Sequence, residues 1–160
     1  MTVLIFVYGT LKSGLPNHHL IENKTDGLCI PRGTATTEEK FPLVTATRYN
    51  VPFMLYAPGK GHNIEGELYE VDETRLKSLD KLEAHPHLYE RRDIIVTKSA
   101  GREGSENAIK VQSYLLVKYR PILLDMPMLK NYDGQGFVIP EERKEMKHWW
   151  SEVHMDYDDA

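Results

Sequence analysis

A single cysteine, Cys29, stands in a chain of 160 residues. No internal disulfide framework is possible, and a lone thiol suits a reducing compartment. Long apolar runs are missing as well: no stretch approaches the roughly 18 residues that a bilayer span needs. The N-terminal MTVLIF carries no basic region of the kind that opens a signal peptide. Charge of one sign is not in surplus either. Lys and Arg number 20 against 24 Asp and Glu, a net charge of −4, which offers no pull toward nucleic acid or an anionic membrane. The expected setting is cytoplasmic, with neither nucleic acid nor membrane as partner; a protein partner is left open.

Recognisable cofactor and metal motifs are also absent. GTLKSG has no Gly-Lys-Ser/Thr at Walker spacing, and GQGF lacks the third glycine and preceding strand of a dinucleotide fingerprint. Among the seven histidines, His18 and His19 are adjacent and diverge on a helix, while His85 and His87 flank a proline. Neither pair has a carboxylate or thiolate at ligand spacing, so no metal and no cofactor is expected. Cys29 reads as packing rather than as a nucleophile. No Ser-His-Asp or Cys-His set is evident.

What is present is an ordinary globular balance, 41% hydrophobic and 28% charged, in a chain long enough for one domain with a sizeable core. Val3–Tyr8 is an uninterrupted apolar run, the pattern of a strand buried on both faces. It stops at Gly9-Thr10-Leu11, a small hydroxyl-bearing loop able to aim several backbone N–H groups at one ligand, or simply to turn. PNHHLIE predicts a short helix capped by Asn17. Between Leu28 and Tyr69 come short β-like runs (LCI, GTATT, FPLVTA, VPFMLYAP, IEGELYEV) punctuated by Pro and Gly. DETRLKSLDKLEAH predicts a helix with Asp72 as N-cap, an apolar side of Leu76, Leu79 and Leu82, and a stop at Pro86. RRDIIVT and IKVQSYLLVKY predict two further strands, joined by SAGREGSENA as a mobile hairpin loop. LKNYDGQGF reads as irregular. From Pro140 a last helix is expected, with Met146, Trp149, Trp150 and Val153 as its apolar stripe and a frayed DYDDA end. The Trp pair reads as core or as a docking face. Many short strands with few helices imply an α+β fold, a small mixed sheet, either open or closed into a barrel, with helices on its outside. The expected organisation is one domain over 1–160, in which 144–160 form a C-terminal helical extension.

Glu83 is the residue whose placement invites chemistry. On an ideal helix, residues seven apart lie nearly in line, and Glu83 is seven after Leu76 and four after Leu79. It therefore projects on the apolar side. It also falls in the last helical turn, where the dipole disfavours an anion by roughly 0.3–1 kcal/mol. Both effects raise a carboxyl pKa, and a carboxyl poised nearer neutrality can take a proton and return it. The competing reading is structural: Glu83 pairs with Arg91, Arg92 or a tyrosine hydroxyl. Asp80, on the flank, is expected to meet solvent or a basic neighbour. Glu65 and Glu67 share one face of one strand, a solvated face rather than a glycosidase pair.

FVYGTLKSGLPNHHL, FPLV, NVPFMLYAPGKGHNIEGELYEVDETRLKSLDKLEAHPHLYERR, YDGQGF and PEER, in that order from about Val3 to Arg143, resemble the γ-glutamylamine cyclotransferases of the γ-glutamylcyclotransferase-like superfamily. MKHWWSEVHMDYDDA looks like an extension beyond the family core, and Leu116 stands where some relatives carry a tyrosine. The resemblance implies a compact barrel with peripheral helices and no cofactor. It implies a small-molecule γ-glutamyl substrate, whose own α-amine attacks its γ-amide carbonyl to give 5-oxoproline and a free amine, such as lysine from γ-glutamyl-ε-lysine. It makes Glu83 the catalytic acid/base and Tyr8, Gly9, Thr10 and Leu11 the substrate-binding loop. Two alternatives stand beside it: the same chemistry on γ-glutamyl amino acids or glutathione, and a non-catalytic barrel binding a small ligand or a protein.

Overall fold

A computed structural model describes residues 1–22, 25–98, 108–143 and 149–156. Five strands form a closed barrel in the order β1-β5-β2-β6-β7: β1 Thr2–Val7, β2 Cys29–Phe41, β5 His62–Asp72, β6 Glu90–Lys98 and β7 Ala108–Leu115. All neighbours run antiparallel except β1 and β7, which meet in parallel at Ile5 and Gln112 and close the barrel. Strands β3 (Leu43–Ala46) and β4 (Val51–Met54) form a separate hairpin. Its end is tied to the barrel by a Leu55–Leu116 bridge. The helices are α1, His19–Glu22, and α2, Glu73–Leu82.

The apolar run at the N-terminus does bury both faces. Phe6 and Tyr8 join a cluster with Ala35, Ile64, Leu68, Ile94, Val96, Val111 and Leu115. That cluster draws on all five barrel strands and so fills the barrel. Ile5 and Val7 point the other way, into a second cluster with Tyr69, Val71, Leu79, Phe53, Tyr89 and Val153. Where β5 crosses β1, Gly66 is required: a Cβ there would lie 2.4 Å from the Val7 carbonyl oxygen and 2.5 Å from Phe6.

Several expectations are revised. LCI and GTATT belong to one strand, β2, whose pairing with β5 shifts register twice. The irregularities absorb Pro31 and Gly33, which read as breaks in the sequence. Leu82 is 46% exposed. It lies six residues after Leu76, about 120° around the helix from it, so the stripe is Leu76, Leu79 and Glu83. The buried residue on that flank is Arg75, whose guanidinium reaches the carbonyls of Leu20 and Gly27. Asp72 does cap α2, accepting from the Arg75 N–H at 2.9 Å. The helix ends before Pro86 through its own geometry. Ala84 adopts φ 52°, and the N–H groups of Ala84 and His85 return to the carbonyls of Lys81 and Asp80. This is a Schellman closure with alanine where glycine is usual.

The C-terminal stretch is not one helix from Pro140. Pro140–Glu142 and Trp149–Glu152 are separate 3₁₀ turns, and Arg143 between them is extended. Its side chain is drawn onto an aromatic group instead of continuing a helical face. Met146, residues 99–107 of the hairpin loop SAGREGSENA, and the last four residues lie outside the described residues, while the final alanine of that loop, Ala108, opens β7. Among the described residues no helix is long and apolar enough to cross a membrane.

Candidate active site

Where β1 leaves the barrel and α2 ends, the fold leaves a cavity of about 200 Å³. Tyr8, Gly9, Thr10, Leu11 and Glu83 all line it, so the structure brings every expected site residue to one place. The loop after β1 is clamped from behind. The Asn17 backbone N–H and side-chain amide donate to the Thr10 carbonyl and hydroxyl, both at 2.9 Å. The His18 Nδ1 lies 2.8 Å from the Leu11 carbonyl. With its carbonyls occupied, the loop presents the N–H groups of Gly9, Thr10 and Leu11, which donate to no acceptor among the described residues. Gly9 is small for a reason inside the protein: a Cβ there would come within 2.8 Å of the Pro52 ring. Asn17 thus serves the loop rather than capping α1, which begins at His19: its side chain goes to Thr10, a partner in a turn that sequence alone does not disclose.

Tyr8 itself is buried, and its hydroxyl donates to the Tyr114 carbonyl at 2.6 Å. Burial, with Glu83 nearby, pushes its pKa well above the phenol range. It is a neutral donor in use rather than a base. Tyr89, its hydroxyl bonded to the Pro52 carbonyl at 3.0 Å and its ring stacked on Phe53, is likewise held protonated by burial and by the charges around it.

Glu83 is the C-cap of α2, with its N–H bonded to the Leu79 carbonyl at 2.9 Å. The Schellman closure folds the chain back so that the Tyr89 N–H reaches the Glu83 carbonyl. The carboxyl sits in the cavity wall and makes no side-chain hydrogen bond or ion pair among the described residues. Desolvation raises its pKa from 4.5 to about 7. The structural alternative, a pairing with Arg91, is occupied elsewhere: Arg91 binds Asp80, which also accepts from the Tyr114 hydroxyl at 2.6 Å. Arg91 and Tyr114 face each other across β6 and β7, and Asp80, which binds both, lies about one helical turn before Glu83. Arg92 bonds Glu90 at 3.0 Å. Asp80 therefore occupies Arg91, and desolvation by burial accounts for the raised pKa of Glu83.

The remaining wall comes from residues the sequence reading assigned to core or docking: Phe137, Pro140, Arg143, Trp149 and Trp150. Leu116, by contrast, is fully buried and does not line the cavity. Glu67 is taken up by the Ser13 N–H at 2.9 Å and the Tyr69 hydroxyl at 2.8 Å, while Glu65 is exposed beside Lys130. The two do not form a reacting pair. Cys29 is partly buried, and burial pushes its thiol upward, away from nucleophilic use. Among the described residues no group of His, Cys, Asp and Glu could hold a metal ion.

The barrel thus carries a desolvated carboxyl and a loop of open N–H groups on one cavity. Residues 5–133 match the family model described as "Gamma-glutamyl cyclotransferase, AIG2-like", and the chain belongs to that family. Within it, the chain is 43% identical over 134 residues to the gamma-glutamylaminecyclotransferase of Rattus norvegicus, covering 82% of this chain and 90% of that one. It is 38% identical over 146 residues to the troponin C-akin-1 protein of Drosophila melanogaster, covering 90% and 85%. The crystal structure of an AIG2-like protein from Mus musculus superposes with a TM-score of 0.82 at 39% identity, over 89% of this chain and 99% of that one.

Proposed function

We propose that this protein is a γ-glutamylamine cyclotransferase that releases 5-oxoproline and a free amine from a small γ-glutamyl amine, with Glu83 as its acid/base. The observation that carries the reading is a desolvated, ion-pair-free Glu83 carboxyl sharing a 200 Å³ cavity with the open N–H groups of Gly9, Thr10 and Leu11. The name and the extent of the rat relative support it.

The substrate supplies its own nucleophile. Its α-amine attacks the γ-amide carbonyl, a C–N bond forms to close the five-membered ring, and the carbonyl electrons move onto oxygen. Collapse of that tetrahedral species breaks the original amide C–N bond and expels the amine. No water is consumed, so the task is to fold the γ-glutamyl chain onto itself in a rigid cavity. The attacking amine must lose a proton and the departing one must gain a proton. One carboxyl with a pKa near 7 performs both transfers at neutral pH. The loop N–H groups hold either the substrate carboxylate or the developing oxyanion. Tyr8 and Tyr89, held protonated, add no negative charge to the wall of the cavity. The lone thiol Cys29 fits a reducing, cytoplasmic setting.

Glu83→Gln tests the reading. The variant keeps size and hydrogen bonding but cannot move the proton. It is expected to fold, to bind γ-glutamyl-ε-lysine, and to release 5-oxoproline at least about a hundredfold more slowly. A folded Glu83→Gln protein with near-normal 5-oxoproline release would sink the mechanism.

A further inference from the structure

The family match ends at Asp133, yet the cavity does not. Phe137, Pro140, Arg143, Trp149 and Trp150 come later in the chain and complete its wall. At the centre of this added wall is a cation. The Arg143 guanidinium lies 4.8 Å from the Tyr49 ring centroid, 5.4 Å from Phe137 and 5.5 Å from Trp149. Its Nε donates to the Val138 carbonyl at 3.0 Å. Its two terminal nitrogens meet no carboxylate among the described residues, although the group is partly desolvated and its pKa is lowered for that reason. Glu83, Tyr89 and Arg143 line the same cavity.

We propose that Arg143, with the rings of Phe137 and Trp149, forms the subsite for the leaving amine and favours amines that carry a carboxylate on an alkyl chain. The inference rests on the cyclotransferase reading and deepens it. The glutamyl end of the substrate presents one carboxylate, and the open N–H groups of the Tyr8–Leu11 loop answer it. A fixed planar guanidinium in the same cavity calls for a second carboxylate, which a planar fork binds in bidentate fashion. The aromatic faces beside it suit the methylene chain that links such a carboxylate to the scissile amide. Arg143 is thus a specificity-determining residue that acts on the departing half of the substrate and takes no part in the proton transfers.

Two probes separate this from a purely structural role. γ-Glutamyl-ε-lysine and γ-glutamylcadaverine have the same reach and the same terminal ammonium, and differ only in the carboxylate. The unmutated protein is expected to favour the lysine compound by about tenfold or more in kcat/KM, with the difference carried by KM. In Arg143→Gln that ratio is expected to collapse toward one, and Arg143→Lys should restore part of it. A ratio unchanged in Arg143→Gln would overturn the subsite, as would an equal loss on both substrates at constant ratio. Affinities of the two compounds for the Glu83→Gln protein, measured by titration calorimetry, do not depend on turnover. Should the unmutated protein release 5-oxoproline from neither compound, the reaction assignment falls. The subsite still stands or falls on whether Glu83→Gln binds the lysine compound more tightly and loses that preference when Arg143→Gln is added.

Discussion

Glu83 places a buried carboxyl in the wall of the cavity, where its ionisation works against folding. Its folded pKa of about 7 lies above the ordinary 4.5 because burial disfavours the charged form. The stability this lends is fully present below about pH 4.5 and is lost as pH rises through 7. The full shift corresponds to at most about 3 kcal/mol. Denaturant titrations of the parent and Glu83→Gln across pH 4.5–8 should therefore diverge, with the variant gaining relative stability as pH rises. Parallel curves would mean that the carboxyl is solvated. The direction of Glu83 was legible in the sequence, since helical spacing from Leu76 and Leu79 is local arithmetic. Its freedom from Arg91 was not, because that depends on Asp80 meeting Arg91 and Tyr114 through a β6–β7 register that spacing cannot supply. Arg143 was missed as a wall residue for the same reason: a cation above three rings arises from chain segments nearly a hundred residues apart.

At the level of elements, α2 was readable at its start and misread at its end. Asp72 is a local cap with a local partner, and the sequence names it. The stop comes from Ala84 in the left-handed region, which alanine discloses far less readily than glycine would. Holding an L-residue there costs about 1–2 kcal/mol. Ala84→Gly is accordingly expected to raise stability by about 0.5–1 kcal/mol, after allowance for the greater freedom of glycine in the unfolded chain. Chemical denaturation checks this, and destabilisation would show that the Ala84 methyl packs more strongly than its backbone is strained. Loosening the turn also tests the site, since Glu83 is the residue immediately before it. Strand β2 teaches a related lesson. Pro31 and Gly33 look like strand breakers in isolation, but register shifts against β5 accommodate them.

For the molecule as a whole, the mixed sheet followed from short apolar runs, the two-sided burial of β1 from its uninterrupted apolar run, and barrel closure from the family resemblance, whereas the C-terminal wall followed from none of these. A stripe at helical spacing was real in its apolar character and wrong in its geometry. Val153 is fully buried, the Arg120 N–H donates to its carbonyl at 2.7 Å, and the Met155 N–H reaches the Lys118 carbonyl at 2.8 Å. The tail is thus fastened along the segment that follows β7. Truncation after Arg143 removes the burial of Val153, worth roughly 1.5–3 kcal/mol, and should lower Tm by about 3–12 °C. It should also raise KM, because Trp149 and Trp150 leave the cavity wall. An unchanged melting temperature with an unchanged KM would mean that the tail is idle.

The parallel contact between β1 and β7 has a consequence for how the protein is made. Strand β1 is made before its partners and must wait for β5, which starts at His62, before it finds an antiparallel neighbour, and for β7 before the barrel can close. At about 5–20 residues per second, the sixty-residue wait lasts about 3–12 s. Throughout that interval VLIFV, among the most hydrophobic segments of the chain, has neither of its final neighbours. The strand that leads into the loop of the candidate site is therefore also an adhesive edge of the nascent chain, and a folding helper that shields it shields one wall of the cavity before the cavity exists.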